Sequence, residues 1–159
     1  GEDPTRKGDT KILHREVKGG KETILVVEDE TSLAALINTS LKRQGYNVYT
    51  APSGAQALAS RSARLGEIDM LITDIVMPDG LNGWELAKEF LSIKPSLKII
   101  YMSGYNTQVA TGQLTLDKDL SFLEKPFSPQ SLAQKVRDCL DKSPSHGHGT
   151  VFIKETAST

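Results

Sequence analysis

Between residues 23 and 142, short apolar or β-branched runs alternate five times with longer stretches of helical periodicity, and few folds accept that alternation. The clearest run is Asp69-Met70-Leu71-Ile72-Thr73-Asp74, followed by Ile75-Val76-Met77-Pro78-Asp79-Gly80. Its apolar centre is too short for a buried helix and is stopped by a Pro-Asp-Gly turn signal, so it reads as a strand covered on both faces. Thr23 to Val27, Asn47 to Thr50, Leu97 to Met102 and Ser121 to Glu124 read as four further strands, with Asn47 to Thr50 near an edge. The strand-helix order then points to a parallel sheet with helices on both faces, joined by right-handed crossovers.

The intervening segments carry helix signals of unequal strength. Thr31 is placed to cap a helix whose inward stripe is Leu33, Ile37 and Leu41, and Gly45 ends it. Ser53-Gly54-Ala55-Gln56 reads as a capping-box start for a helix presenting Ala57, Leu58 and Leu65. Asn82-Gly83-Trp84-Glu85 is an N-cap with Glu at the third position, followed by Leu86 and Phe90, with Pro95 as the stop. Residues 106–116 carry Val109, Ala110, Leu114 and Leu116, but Thr107, Thr111, Gly112 and Thr115 make this the poorest helix former. Ser128 caps a last helix with Pro129 at its first position and Leu132, Val136 and Leu140 in a stripe.

The flanks differ in composition from this core. Residues 1–22 hold few large aliphatics and end in Gly19-Gly20, which reads as a linker or leader, and residues 143–159 read as a flexible tail. The domain is thus expected over 23–142. A net charge of −1 gives no reason to expect nucleic acid as a partner. No apolar run approaches the roughly 18 residues that a transmembrane helix needs, and Gly1-Glu2-Asp3-Pro4 does not open a signal peptide, so no membrane contact is expected. The single cysteine, Cys139, excludes an internal disulfide and fits a reducing cytoplasm. It lies beside the last helix's apolar stripe and reads as inert. His146 and His148 lack further ligands nearby, and no nucleotide-binding glycine motif accompanies His14.

Four strands end in polar residues: Glu28-Asp29, Asp74, Ser103 and Lys125. In a doubly wound sheet those ends share one edge, where such folds place their chemistry. Carboxylates a few ångströms apart repel by about 4 kcal/mol per close pair at an effective dielectric of ~20, so positive charge belongs among them. Lys125 supplies one, and Mg2+, a hard cation taking carboxylates, carbonyls and phosphate oxygens, is the natural second. Such a site suits phosphoryl transfer onto Asp74, with Ser103 placed to hydrogen-bond a phosphoryl oxygen.

Val26-Val27-Glu28-Asp29-Glu30, Thr73-Asp74-Ile75-Val76-Met77-Pro78, Met102-Ser103-Gly104-Tyr105 and Glu124-Lys125-Pro126-Phe127 resemble the four signature blocks of the receiver domain of two-component response regulators. The likeness runs from residue 23 to about 141. It implies a flavodoxin-like (βα)5 fold with strand order 2-1-3-4-5 and a set of residue roles. Asp74 accepts a phosphoryl group from the phosphohistidine of a sensor histidine kinase or of a histidine phosphotransfer domain. Mg2+ is held by Asp29, by Glu28 through water, by Asp74 and by the carbonyl of Val76. Lys125, with a cis bond to Pro126, pairs with the phosphoryl group, and Ser103 moves to meet it.

Phe122 matches the family's switch aromatic, whose turning remodels the face made by the fourth helix, fifth strand and fifth helix. A second copy of the chain is an implied partner at that face. Val76 and Tyr105 stand at the two positions that tune loss of the phosphoryl group, and apolar Val76 implies slow loss. The loop from Met77 to Gly83 is one residue longer than the commonest family loop.

The leader, the Gly80-Leu81-Asn82-Gly83 loop and Ser103-Gly104-Tyr105 look most like the receiver at the carboxyl end of a hybrid sensor histidine kinase. In that case the parent chain would be an enzyme, with an anchor at the inner membrane open to it, although this stretch carries no ATP site. A stand-alone response regulator is the alternative. An enzymatic rival, a phosphatase or phosphomutase using an aspartyl phosphate, is disfavoured because the haloacid dehalogenase group places a second acid two residues after the nucleophile, where Val76 stands. A degenerate receiver acting as a constitutive binding module should have lost the acid pair, Asp, Ser and Lys, and all are present here.

Overall fold

All five expected strands form and pair in parallel. In chain order the elements are β1 (Thr23–Val27), α1 (Thr31–Arg43), β2 (Asn47–Ala51), α2 (Gly54–Arg64), β3 (Met70–Asp74), α3 (Gly83–Ile93), β4 (Lys98–Ser103), β5 (Ser121–Glu124) and α4 (Pro129–Asp141), with a 3-10 turn at Leu65–Glu67. The sheet order is β2-β1-β3-β4-β5. This computed structural model describes residues 17–77, 81–104 and 120–142. The expected helix at 106–116, Tyr105, Pro78 to Gly80 and the tail lie outside the described residues.

Alternation along the strands divides the core in two. Ile24, Val26, Met70, Ile72, Ile100 and Met102 pack with Ile37 and Leu41 of α1 and Leu132 and Val136 of α4. Leu25, Val27, Leu71, Ile99 and Tyr101 pack on the other face with Ala57, Leu86 and Phe90. Each such side chain contributes about 1.5–3 kcal/mol on full burial, which holds the sheet between its two helical layers. β3 is buried along its whole length, as a central parallel strand should be.

Several element ends differ from the sequence expectation, through local as well as long-range contacts. The N-cap of α1 is Glu30, with no side-chain cap bond, and Thr31 is the first helical residue. The cause is local: the Glu30 backbone N–H donates to Glu28 Oε2 at 2.9 Å, which closes the turn one residue earlier. β3 runs from Met70 through Asp74, leaving Asp69 of the expected run outside it. Asp69 instead ties down the start of β1, accepting from the Thr23 N–H at 2.9 Å. α2 stops at Arg64, and Leu65 packs from the 3-10 turn, where Lys94 Nζ donates to the carbonyls of Gly66 at 3.2 Å and Ile68 at 2.6 Å.

The stronger helix signals are borne out. Asn82 and Glu85 form the reciprocal capping box of α3, the Gln56 N–H donates to Ser53 Oγ at 3.1 Å, and Ser128 caps α4 with Pro129 at its first position. Gly45 follows α1 at φ 101°, the left-handed region that favours glycine.

Packed structure also extends upstream of Thr23. The Gly20 N–H donates to the Gln44 carbonyl at 3.2 Å, and Arg137 Nη1 of α4 donates to the Gly19 carbonyl at 3.0 Å. Arg137 is held further by Glu22, Tyr46 and Asp141. Among the described residues, no helix is long and apolar enough to cross a membrane.

Candidate phosphoacceptor site

The parallel register sets the carboxyl ends of the strands side by side: Val27 pairs with Thr73, Asp74 with Met102, and Ser103 with Glu124. Residues just beyond those ends therefore converge. Glu28 follows β1 and is only 2% exposed, while the neighbouring Asp29 is exposed. The two carboxylate oxygens of Glu28 are used separately: Oε2 accepts from the Glu30 N–H, and Oε1 accepts from Lys125 Nζ at 3.0 Å.

Asp74 closes β3 and is 6% exposed. Lys125 Nζ stands 2.9 Å from its Oδ1 and 3.0 Å from its Oδ2, so the ammonium straddles the carboxylate. The lysine is positioned by its own backbone: its N–H donates to the Ser103 carbonyl at 2.7 Å, and the Lys125-Pro126 bond is cis, as the resemblance implied. Ser103 closes β4, and this backbone bond sets it beside Lys125. Val76 lies two residues past Asp74 and is 48% exposed.

Carboxylate oxygens of Glu28, Asp29 and Asp74 lie within 4.8 Å of one another. Three carboxylates against one ammonium leave an excess of negative charge at the site. Burial, with Glu28 adding to it, pushes the Asp74 carboxyl up to about 7, although the hydrogen bond from Lys125 pulls the other way. Burial works against the Lys125 ammonium, yet its hydrogen bonds to Asp74 and Glu28 hold its pKa above the ordinary value. Oxygen donors of this kind fit a hard divalent cation, and they are the residues that could hold Mg2+.

The support behind Asp74 was not evident from sequence. Thr73 Oγ1 donates to the Asp74 carbonyl at 3.0 Å, and the Gly83 N–H donates to the Ile75 carbonyl at 2.8 Å. A Cβ on Gly83 would meet the Asp74 carbonyl oxygen at 2.2 Å, so only glycine fits there. The available signal was a glycine directly after the N-cap asparagine, which sequence alone assigns to the helix start.

Phe122, the expected switch residue, is half-buried on β5. Its ring centroid is 5.7 Å from that of Tyr101 and 6.1 Å from that of Trp84. Trp84 packs on the same ring, its centroid 4.4 Å from that of Tyr101. Cys139 is buried, and burial pushes its thiol up, in keeping with an inert core position. Tyr105 lies outside the described residues.

Comparison with known proteins agrees with this geometry. Residues 24–137 match the family model described as response regulator receiver domain. The chain is 37% identical over 123 residues to the sensor kinase CckA of Brucella abortus, spanning 77% of this chain and 13% of that protein. It is 31% identical over 129 residues to the response regulator SaeR of Staphylococcus aureus, spanning 80% of this chain and 54% of that one. The chain therefore spans about half or less of the length of these relatives. Among solved structures, the receiver domain of the hybrid histidine kinase CckA matches with a TM-score of 0.62 and 30% identity, over 75% of this chain and 99% of that domain. A response regulator receiver protein from Sinorhizobium medicae matches with a TM-score of 0.64 and 30% identity, over 76% of this chain and 95% of that one.

Proposed function

Because this chain belongs to the response regulator receiver domain family, we propose that Asp74 is its phosphoacceptor and that the donor is a phosphohistidine of a sensor histidine kinase or histidine phosphotransfer domain. The observation that carries the reading is the ammonium of Lys125 held 2.9 and 3.0 Å from the two Asp74 oxygens, with Glu28 and Asp29 alongside. An Asp74 oxygen attacks phosphorus, the O–P bond forms, and the P–N bond to the imidazole breaks. Lys125 and the Ser103 hydroxyl receive the transferred oxygens. Glu28, Asp29, Asp74 and the Val76 carbonyl are the ligand set for Mg2+, which when bound neutralises charge on the phosphoryl oxygens.

Intact-protein mass after incubation with acetyl phosphate, with and without Mg2+, tests this. A metal-dependent gain of one phosphoryl group is expected, absent in Asp74→Asn. No gain under any condition would overturn the reading in favour of a constitutive binding module. Val76 offers an attacking water no hydrogen bond, so loss of the group should be slow. Val76→Asn should speed it several-fold, and a variant that is no faster by phosphate release counts against that role.

The likeness to CckA, a sensor kinase in which the matching stretch is a small share of the protein, supports a place for this domain in a longer chain. We read this domain as the receiver of a hybrid sensor histidine kinase, passing its phosphoryl group onward. The likeness to SaeR supports the alternative, a response regulator.

A further inference from the structure

We propose that Trp84 is a positioning residue of the switch, carrying displacements of the Asp74-Ile75 backbone through the first turn of α3 to the ring of Phe122. The proposal rests on Asp74 being phosphorylated, as read above, and names a route that does not pass through Ser103.

The path is short and each link is a close contact. Gly83 is bonded to the Ile75 carbonyl at 2.8 Å and lies too close to the Asp74 carbonyl to admit a Cβ. Any shift of the backbone at Asp74 must therefore move Gly83. The turn that follows is stiff, because Asn82 Oδ1 accepts from the Glu85 N–H at 2.9 Å while Glu85 Oε1 accepts from the Asn82 N–H at 3.0 Å. Trp84 is the next residue on that turn. Its indole lies against Tyr101 at 4.4 Å and 44°, and meets Phe122 edge-on at 6.1 Å and 73°.

Tyr101 is the fixed member of the trio. It is fully buried in β4, in register with Thr73 on one side and Phe122 on the other. Trp84 and Phe122 are only half-buried, so they can turn against it. Trp84 Nε1 is buried with no hydrogen-bond partner among the described residues. Within that set the indole is oriented by ring packing, which lets a sub-ångström shift of the helix start alter the seat offered to Phe122.

Trp84 is the only tryptophan in the chain, so its emission reports on this contact directly. The experiment follows phosphoryl mass and tryptophan emission together in the full chain with acetyl phosphate and Mg2+. The natural protein should gain the phosphoryl group and shift its emission maximum. Phe122→Leu should gain the same mass and keep most of the shift, because on this route Trp84 moves before Phe122. In parallel, phosphorylation should change hydrogen exchange at residues 120–124 in the natural protein and in Trp84→Phe, and this difference should vanish in Trp84→Leu.

A mere packing role for Trp84 would alter basal exchange but leave the phosphorylation-dependent difference intact, and that result overturns the proposal. So does loss of the shift in Phe122→Leu, which would place Phe122 ahead of Trp84, or a phosphorylated natural protein with no shift. If Trp84→Leu does not fold, the emission comparison still decides. Absence of any mass gain in the natural protein instead overturns the phosphoacceptor reading, and this inference with it.

Discussion

Asp74 is costly to bury in its ionised form, and the cost has a definite pH dependence. Its carboxyl is raised from 3.8 in the unfolded chain to about 7 in the fold, chiefly by burial. A raised acid removes stability as pH climbs from the unfolded value toward the folded one, because the unfolded state gives up its proton first. Asp74→Asn should therefore be more stable than the natural protein by on the order of 2 kcal/mol near pH 8, without Mg2+, and the gain should shrink toward zero near pH 3. Urea unfolding at the two pH values checks this, and a gain independent of pH would sink it. At Gly83 the sign is opposite. Gly83→Ala forces a Cβ onto the Asp74 carbonyl oxygen and should cost about 1–3 kcal/mol, measured by the same unfolding. Asp74 and Lys125 were legible in sequence because a charged residue at the end of an apolar run is a local pattern. Gly83's role was not, since what it must avoid lies on another element.

At the scale of elements, caps divide by whether their partners are local. Asn82 and Ser128 accept from backbone N–H groups three residues on, so short-range sequence predicts them. Thr31 has the right chemistry but the wrong place, because Glu30 is held by the buried Glu28 and the helix begins earlier. The contrast gives a paired prediction. Asn82→Ala should cost about 1 kcal/mol, whereas Thr31→Ala, inside the helix, should change stability by less than about 0.5 kcal/mol. Thermal unfolding of the two variants distinguishes them, and equal losses would show that Thr31 does cap. The start of β3 is set instead by a distant contact: Asp69 accepts from the N–H of Thr23, far away in sequence.

For the whole molecule, Arg137 joins three regions that composition would keep apart. Its guanidinium binds Glu22 at 2.9 Å, Asp141 at 2.8 Å, the Gly19 carbonyl at 3.0 Å and the Tyr46 hydroxyl at 3.2 Å. The Glu22 carboxyl is lowered, first by its hydrogen bond to Arg137, and the Arg137 guanidinium is held above its ordinary value, first by its bond to Asp141. Removing one partner of such a network strands the rest, but Glu22 and Asp141 still reach water, so the loss is less than for a fully buried pair. Arg137→Met should lower stability by about 2 kcal/mol and speed hydrogen exchange at residues 19–22. Unchanged exchange there would show that the upstream segment is held by its backbone contacts alone.

Five strands, the helices between them that carry strong caps, and the polar residues that end the strands were legible in the amino-acid order, because run length, periodicity and capping chemistry act over a few residues. From that pattern a parallel sheet follows. Tertiary structure decided that Lys125 meets Glu28 across 97 residues and Asp74 across 51, each at 3.0 Å, and that Glu28 is buried while Asp29 beside it is not. It also decided that Gly19 to Glu22 dock under α4, and that Trp84, Tyr101 and Phe122 share one contact. These depend on which strands lie side by side and in what register, and the free energy that selects them is burial summed over the whole core.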